Sequence, residues 1–465
     1  MTGAGGSPFA VRGVIEGFYG RPWTHEQRLG LIEFIGARGM NTFVYAPKDD
    51  PLVRREWRSA YGGPDLERLA RLVAHGRRHA VEVVYCLSPG LSIMYSNAAD
   101  LEALCAKLDS IAGLGVRRFG LLLDDIPLEL QHAPDREAFA DLVEAHIALV
   151  GRVFERFGPG MGLVVCPTVY CGYGDEDYVS RLGHGIDPRV DLFWTGRAIC
   201  SATLDLADAA TFARSAVRPA TYWDNYPVND VAMTHELHVG PYRGRDPHLW
   251  RFATGVIANG MELFESTKIA LATIADYLAT PAAYDPEASW RIALRDVAGE
   301  ADADAYALFA DNVRSSCLCP DDAPIVSKAL ASFAFRTAQG EGRAAAAELG
   351  ALADRLLDAA DHLLRGPVTN RALVDEGRPW IEAFETGATA LRRVADLAAE
   401  GRLEADGPAE LLPYLQALRR ARVRVFGDAV DMGLAELTGI QAPPGRLLTD
   451  AAPPMPARLL DESRG

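Results

Sequence analysis

The order of apolar runs in the sequence predicts an α/β fold, a (β/α)8 barrel of the TIM type, followed by an all-α helical bundle. Two observations predict it. From Phe9 to about Leu278, eight short β-type runs alternate with helix-type segments, and beyond Asp285-Pro286 strand signals vanish while alanine-rich stretches take over. Eight βα units favour a closed barrel over an open doubly wound sheet, because the small N-terminal residues Met1 to Ser7 supply no Gly-rich turn after a strand.

The strand candidates, in order, are Val11 to Gly17, Thr42 to Ala46, Val81 to Leu87, Phe119 to Leu123, Gly162 to Cys166, Leu192 to Trp194, Ala220 to Trp223 and Gly255 to Ala258. Between the first two, Thr24 and Gln27 have the spacing of a capping box, and Gly39 follows the last turn of the helix so started. Asn97 is placed to cap a helix whose Leu101, Leu104, Cys105, Leu108 and Ile111 share one face. In the second half, Asp285 reads as an N-cap with Pro286 at the first helical position. There Leu349, Leu352, Leu356 and Leu363 recur at helical spacing, as do Trp380, Phe384, Leu391 and Val394. The chain thus divides into a catalytic barrel at 1–280, a helical bundle at 281–440 and a flexible proline-rich tail at 441–465.

Bulk composition bounds the function. Hydrophobic residues make up 49% and charged residues 24%, the balance of a globular chain with a sizeable core. A formal net charge of -16 repels phosphate backbones and anionic membranes, so neither nucleic acid nor a membrane is expected as a partner. The cysteines are odd in number, seven, and lie mostly in apolar runs, which reads as reduced thiols rather than a disulfide framework. No basic segment precedes a long apolar one near Met1, so the expected location is the cytoplasm. A homodimer, if one forms, is expected to use the helical half.

Barrel enzymes place their chemistry where strands end and βα loops begin. The strongest strand exit is Phe119-Gly120-Leu121-Leu122-Leu123-Asp124-Asp125, an apolar run that stops on two carboxylates. Taken alone, such a pair reads equally well as a loop cap beside a solvated side chain. Two close carboxylates also drive one pKa upward, leaving an acid and an anion at neutral pH, as glycoside hydrolysis requires. Other exits are polar and aromatic: Glu16-Gly17-Phe18-Tyr19-Gly20, Tyr45-Ala46-Pro47-Lys48-Asp49-Asp50, Cys166-Pro167-Thr168-Val169-Tyr170, and Trp223-Asp224-Asn225 followed by Asp230. Sugars need this mixture, because hydroxyls demand fixed hydrogen bonds while ring faces want aromatic walls. Singly, Gly17 fits a turn, Lys48 a surface ion pair and Trp223 the core; their shared place at successive strand ends favours a site. His235-Glu236-Leu237-His238 lacks the i, i+4 spacing of a zinc helix, and Cys317-Leu318-Cys319 has no second pair in register, so no metal is expected. No Gly-x-Ser-x-Gly elbow and no P-loop anchor acyl transfer or nucleotide hydrolysis.

A series of motifs then resembles glycoside hydrolase family 84, the O-GlcNAcases and bacterial β-N-acetylglucosaminidases once called hyaluronidases. It runs from Gly13-Val14-Ile15-Glu16-Gly17-Phe18-Tyr19-Gly20-Arg21-Pro22-Trp23 through Tyr45 to Asp50, Ser88-Pro89-Gly90-Leu91, Leu123 to Ile126, Cys166-Pro167-Thr168, Trp194-Thr195-Gly196 and Trp223-Asp224-Asn225 to Gly240-Pro241-Tyr242-Arg243-Gly244-Arg245. The resemblance covers the barrel half in family order and is looser beyond it. It implies a retaining hydrolase of terminal β-linked N-acetylglucosamine that uses the substrate's own acetamido oxygen as nucleophile, without cofactor or metal. In this pattern Asp124 matches the residue that accepts the acetamido N–H, and Asp125 the general acid and base. Tyr170 and Trp223 match the acetamido pocket, Asn225 the group that positions the acetamide and first aspartate, and Gly17, Lys48, Asp230 and Asn259 the groups that hold sugar hydroxyls.

Two positions depart from the family pattern. Val169 stands where Glu is usual, and Gly260 stands where Pro usually follows the residue matched by Asn259; altered loop packing is the expected consequence. Two other readings compete: a sugar-binding protein on an inactive barrel, and a metal-assisted hydrolase with the aspartates as ligands. Retention of Asp124, Asp125, Tyr170 and Asn225 together argues against the first.

Overall fold

A computed structural model describes residues 6–157, 160–320 and 323–440. The proposed tail at 441–465 lies outside the described residues. Eight parallel strands close in sequence order into a barrel. They are β1 (Val11–Glu16), β2 (Thr42–Tyr45), β3 (Glu82–Leu87), β4 (Arg118–Leu122), β5 (Gly162–Cys166), β6 (Asp191–Trp194), β7 (Ala220–Asp224) and β8 (Ala253–Asn259). The helices of the barrel are α1 (His25–Ala37), α2 (Gly63–Arg78), α3 (Ala98–Gly113), α4 (Ala133–Ala138), α5 (Leu142–Phe157), α6 (Asp177–Gly185), α7 (Leu206–Ser215) and α8 (Phe264–Ala279). The extra short helix α4 lies in the β4 to α5 connection.

The barrel follows from a two-residue alternation along each strand. Val11, Ile15, Val44, Ala46, Val84, Cys86, Leu122, Val164, Cys166, Phe193, Trp223 and Ile257 pack together as one buried cluster, the barrel interior. Their neighbours Val14, Phe43, Tyr45, Val83, Tyr85, Phe119, Leu121, Leu163, Tyr222 and Val256 belong to a separate core shared with the surrounding helices. Each aromatic or branched residue so buried contributes about 1.5–3 kcal/mol. The helix signals are present: Thr24 and Gln27 make the reciprocal capping box, and Asn97 accepts the Ala99 amide at 2.9 Å. A cap of this kind is worth about 1 kcal/mol.

After the barrel the structure is helical: α9 (Pro286–Ala298), α10 (Ala303–Asp311), α11 (Pro324–Ala338), α12 (Gly342–Arg365), α13 (Arg371–Ala399), α14 (Leu403–Ala421) and α15 (Ala429–Thr438). Asp285 caps α9 by accepting the amides of Glu287 and Ala288. Leu349, Leu352, Leu356, Leu363, Trp380, Phe384, Leu391 and Val394 are all in its core, and so are Leu237, Val239, Ile269 and Ala272 from the barrel half. Polar contacts fasten the same seam. Glu376 accepts the amides of Glu265 and Ser266, each at 2.9 Å, and so caps the N-terminus of α8. The indole N–H of Trp290 donates to the Val239 carbonyl (2.7 Å) and that of Trp380 to the His235 carbonyl (3.0 Å).

The long loop between β7 and β8 is therefore held from below by the helical region. A chain truncated near Thr280 would expose Ile269 and Ala272 and leave that loop unsupported. It should aggregate on expression; size-exclusion chromatography checks this, and a monodisperse, fully active fragment would contradict it.

Candidate active site

Residues at or just past the strand ends converge on one cavity at the C-terminal mouth of the barrel. Gly17, Lys48, Asp124, Asp125, Tyr170, Trp223, Asn225, Asp230 and Asn259 all line it. The structure thus brings together the nine residues that the resemblance assigns to the site. Trp223 serves twice, as a roof of the barrel interior and as a floor of the cavity, its ring meeting Phe193 edge-on at 5.5 Å.

The β4 ladder continues through Leu123, whose amide donates to the Cys166 carbonyl at 2.9 Å. The chain then turns sharply: Asp125 has φ 54, in the left-handed region that Asp tolerates better than most residues. That turn allows consecutive side chains to face the same cavity. Lys48, from the end of β2, reaches between them. Its ammonium is hydrogen-bonded to Asp124 Oδ2 and stands 3.3 Å from Asp125 Oδ2. The three side chains are 3%, 6% and 15% exposed, so this is a desolvated charge cluster rather than a surface ion pair. Burial alone would lower the Lys48 pKa, but the two aspartates outweigh it and raise it.

Asp125 has two further partners, one of them braced from behind. Tyr19 donates its hydroxyl to Oδ2 at 2.7 Å and Tyr170 to Oδ1 at 2.9 Å, while Arg54 donates to the Tyr19 hydroxyl at 2.9 Å. Burial works to raise the Asp125 pKa; Lys48, then Tyr19 and Tyr170, overcome it and hold the carboxyl well below the usual range. The sequence led us to expect mutual repulsion to raise one pKa of the pair. At Asp125 that expectation fails, because the buried ammonium between the carboxylates outweighs the repulsion. Asp124 differs: Oδ1 is buried and has no hydrogen-bond partner.

The amide side chains form a relay. Asn259 accepts the Gly17 amide at 3.1 Å and donates to Asn225 Oδ1 at 2.9 Å. Asn225 Oδ1 also accepts the Trp223 indole N–H (2.9 Å), and its Nδ2 donates to the Ile199 carbonyl (2.8 Å). Asp230 accepts the Tyr19 amide at 2.7 Å. Tyr19 and Arg54 escaped the sequence reading. Tyr19 lay in a polar strand exit already noted, but nothing local announces that Arg54 reaches it from 35 residues away.

Gly260 has a packing reason. A Cβ there would stand 2.6 Å from the Trp23 ring, and its amide donates to the Ile15 carbonyl at 3.3 Å, a bond proline would remove. Val169 packs against the barrel-wall core as a partly buried side chain.

An acid pair set beside aromatic walls is what cleavage of a glycosidic bond requires, and the class that this fold and cavity define is the barrel glycoside hydrolase. More narrowly, the chain belongs to the beta-N-acetylglucosaminidase family, whose model matches residues 12–311. Protein O-GlcNAcase of Rattus norvegicus and that of Mus musculus are each 34% identical over 280 residues, 59% of this chain and 30% of the relative. The chain therefore matches less than a third of the length of those relatives. Among solved structures, a Thermobaculum terrenum O-GlcNAc hydrolase, crystallised as an aspartate-to-asparagine mutant, superposes with TM-score 0.88 at 32% identity, covering 93% of this chain and 95% of that one. CpGH84B superposes with TM-score 0.83 at 25% identity, covering 93% and 77%.

Gly17 offers a direct check on the cavity. A Cβ at this position would lie 2.5 Å from Cζ2 of Trp223, so Gly17→Ala must push the indole away from its bond to Asn225. Overpacking of this kind costs about 1–3 kcal/mol. Turnover of a chromogenic N-acetyl-β-glucosaminide should fall about tenfold or more with the fold retained by circular dichroism; unchanged turnover would show that Trp223 does not shape the sugar site.

Proposed function

We propose that this protein is a retaining exo-β-N-acetylglucosaminidase, O-GlcNAcase-like, that works by substrate-assisted catalysis. The observation that carries the reading is the geometry of Asp124: its carboxyl is fixed through Oδ2 by Lys48, while Oδ1 is buried and has no partner among the described residues, in a cavity that Trp223 and Tyr170 also line. An acetamido N–H is the donor that such an oxygen fits, and its methyl fits the aromatic walls.

The steps then follow. With the N–H held by Asp124, the acetamido carbonyl oxygen attacks C1 while the bond from C1 to the aglycone oxygen breaks. Asp125 gives that oxygen its proton. The product is an oxazoline in its N-protonated, oxazolinium form, whose positive charge Asp124 stabilises. Asp125 then takes a proton from water as the water oxygen attacks C1, reopening the ring with net retention and returning the acid. Asp125 must be protonated in the bound state although Lys48, Tyr19 and Tyr170 hold its pKa low. A bound sugar supplies the change: it excludes water and draws Lys48 N–H bonds onto hydroxyls, weakening the hold on the carboxylate. Asn225 and Asn259 keep Trp223 and the Gly17 backbone in register with the ring, and Asp230 is a further hydroxyl acceptor. The similarity to O-GlcNAcases makes a glycoprotein one candidate aglycone beside a glycan fragment or small glycoside; parallel assay of glycopeptide, chito-oligosaccharide and hyaluronan fragments distinguishes them.

The roles of the two aspartates separate by leaving group. Asp125→Ala should lose about 10²–10⁴-fold on alkyl or peptide-linked sugars. It should lose far less in the first step with acidic phenols, and azide should then partly rescue turnover by attacking the oxazoline without a base. Asp124→Ala should be impaired evenly across leaving groups and ignore azide. Rates of both variants over a phenol series test this; equal leaving-group sensitivity, or azide rescue of Asp124→Ala alone, would overturn the assignment.

A further inference from the structure

Away from the cavity, α1 and α2 bring together three side chains with the chemistry of metal ligands. Glu33 lies in the third turn of α1; His75 in α2 and His79 at its C-cap are one turn apart on one face. Barrel helices run antiparallel to their strands, so this cluster sits near the N-terminal ends of the strands, opposite the cavity. Nε2 of His75 is 3.1 Å from Glu33 Oε1 and Nε2 of His79 is 3.9 Å from it. The three ligand atoms all lie within 4.8 Å of one another.

His75 supplies a second, independent observation. The residue is only 7% exposed, and its Nε2 is buried without a hydrogen bond despite the nearness of Glu33. The carboxylate oxygen is therefore off the ring's N–H axis. Nitrogen and oxygen atoms aimed at a common point, rather than at each other, have this arrangement. Ligand atoms roughly 2.0–2.1 Å from a tetrahedral ion stand about 3.3 Å apart, a value that lies between the two separations from Glu33 Oε1. The scaffold is stiff at this place, because a Cβ on Gly36 would meet the His79 carbonyl oxygen at 2.6 Å, so α1 and α2 are in backbone contact one turn beyond Glu33.

We propose that Glu33, His75 and His79 form a binding site for a borderline transition-metal ion of the Zn2+ class, which staples α1 to α2 and keeps a fourth position for water. Two imidazoles and one carboxylate suit such an ion and not Ca2+ or Mg2+, which take oxygen ligands. Access is from solvent, since the Glu33 and His79 side chains are 57% and 34% exposed. Two other groups face the His75 ring: the Leu29 carbonyl, and Arg78, which donates to Nδ1 at 2.7 Å. A neutral ring that ligates through Nε2 carries its proton on Nδ1, so binding requires the exposed Arg78 to swing away. The ion is a structural clamp, separate from the chemistry proposed at Asp124 and Asp125.

The test uses the full chain with any affinity tag removed, stripped with chelator, then titrated with Zn2+ by calorimetry. The wild type should bind one equivalent and show a higher thermal midpoint with Zn2+ present. Glu33→Gln and His79→Ala, both at partly exposed positions, should each bind about tenfold more weakly or worse and lose the midpoint shift. Arg78→Ala should bind more tightly than the wild type. Unchanged turnover in these variants confirms that they fold. Absence of saturable one-to-one binding, or equal affinity in wild type, Glu33→Gln and His79→Ala, would overturn the proposal.

Discussion

Lys48 is the constraint on which the site depends. Two consecutive carboxylates at the mouth of a barrel repel each other and lose hydration, and without compensation one would be neutral or the loop would turn outward. The ammonium of Lys48, nearly fully buried, lies against both. Removing one partner from such a buried cluster typically costs about 3–5 kcal/mol, because it leaves the others uncompensated. The neighbouring strands accommodate this cluster with groups that stay neutral: burial pushes the thiols of Cys86 and Cys166 upward, first by desolvation and then by the field of Asp124.

The barrel cannot hold the whole cavity by itself. Asp230 and the segment after it belong to a loop whose backbone carbonyls are bonded by Trp290 and Trp380, and whose Glu236 is paired with Arg424 at 3.2 Å. On its other side, Asp224 at the end of β7 is locked by Arg245 and by the Tyr242 hydroxyl, all three buried. Arg245 also donates to the Ser201 and Ala202 carbonyls, which ties the loop after β6 to the same point. Asn225, next to Asp224, therefore inherits its position from both loops. The helical region and the barrel act as one support for the cavity.

Much of this was legible in the sequence because it is local. Short apolar β-type runs mark strands such as Gly162–Cys166, and the abrupt change from Leu123 to Asp124 marks a strand exit. What escaped depends on contacts between distant residues. Lys48 was read as a holder of sugar hydroxyls, so its effect on the ionisation of Asp125, 77 positions away, was missed and the expected raised pKa was wrong there. Arg54 behind Tyr19 and Glu376 at the start of α8 have no local signature at all. The His75 and His79 pair does have the spacing of a metal helix, but only the approach of α1 brings Glu33 to it.

The central claim is that a buried ammonium holds Asp125 in its carboxylate form before substrate arrives. Carboxyl-carbon NMR titration of selectively labelled protein, comparing wild type with Lys48→Met, measures this directly. In the wild type the Asp125 carboxyl should titrate below the ordinary aspartate range, and in Lys48→Met it should move up into that range or above it. Coincident titration curves for the two proteins, or an Asp125 carboxyl that remains protonated near neutral pH in the empty wild type, would contradict the account.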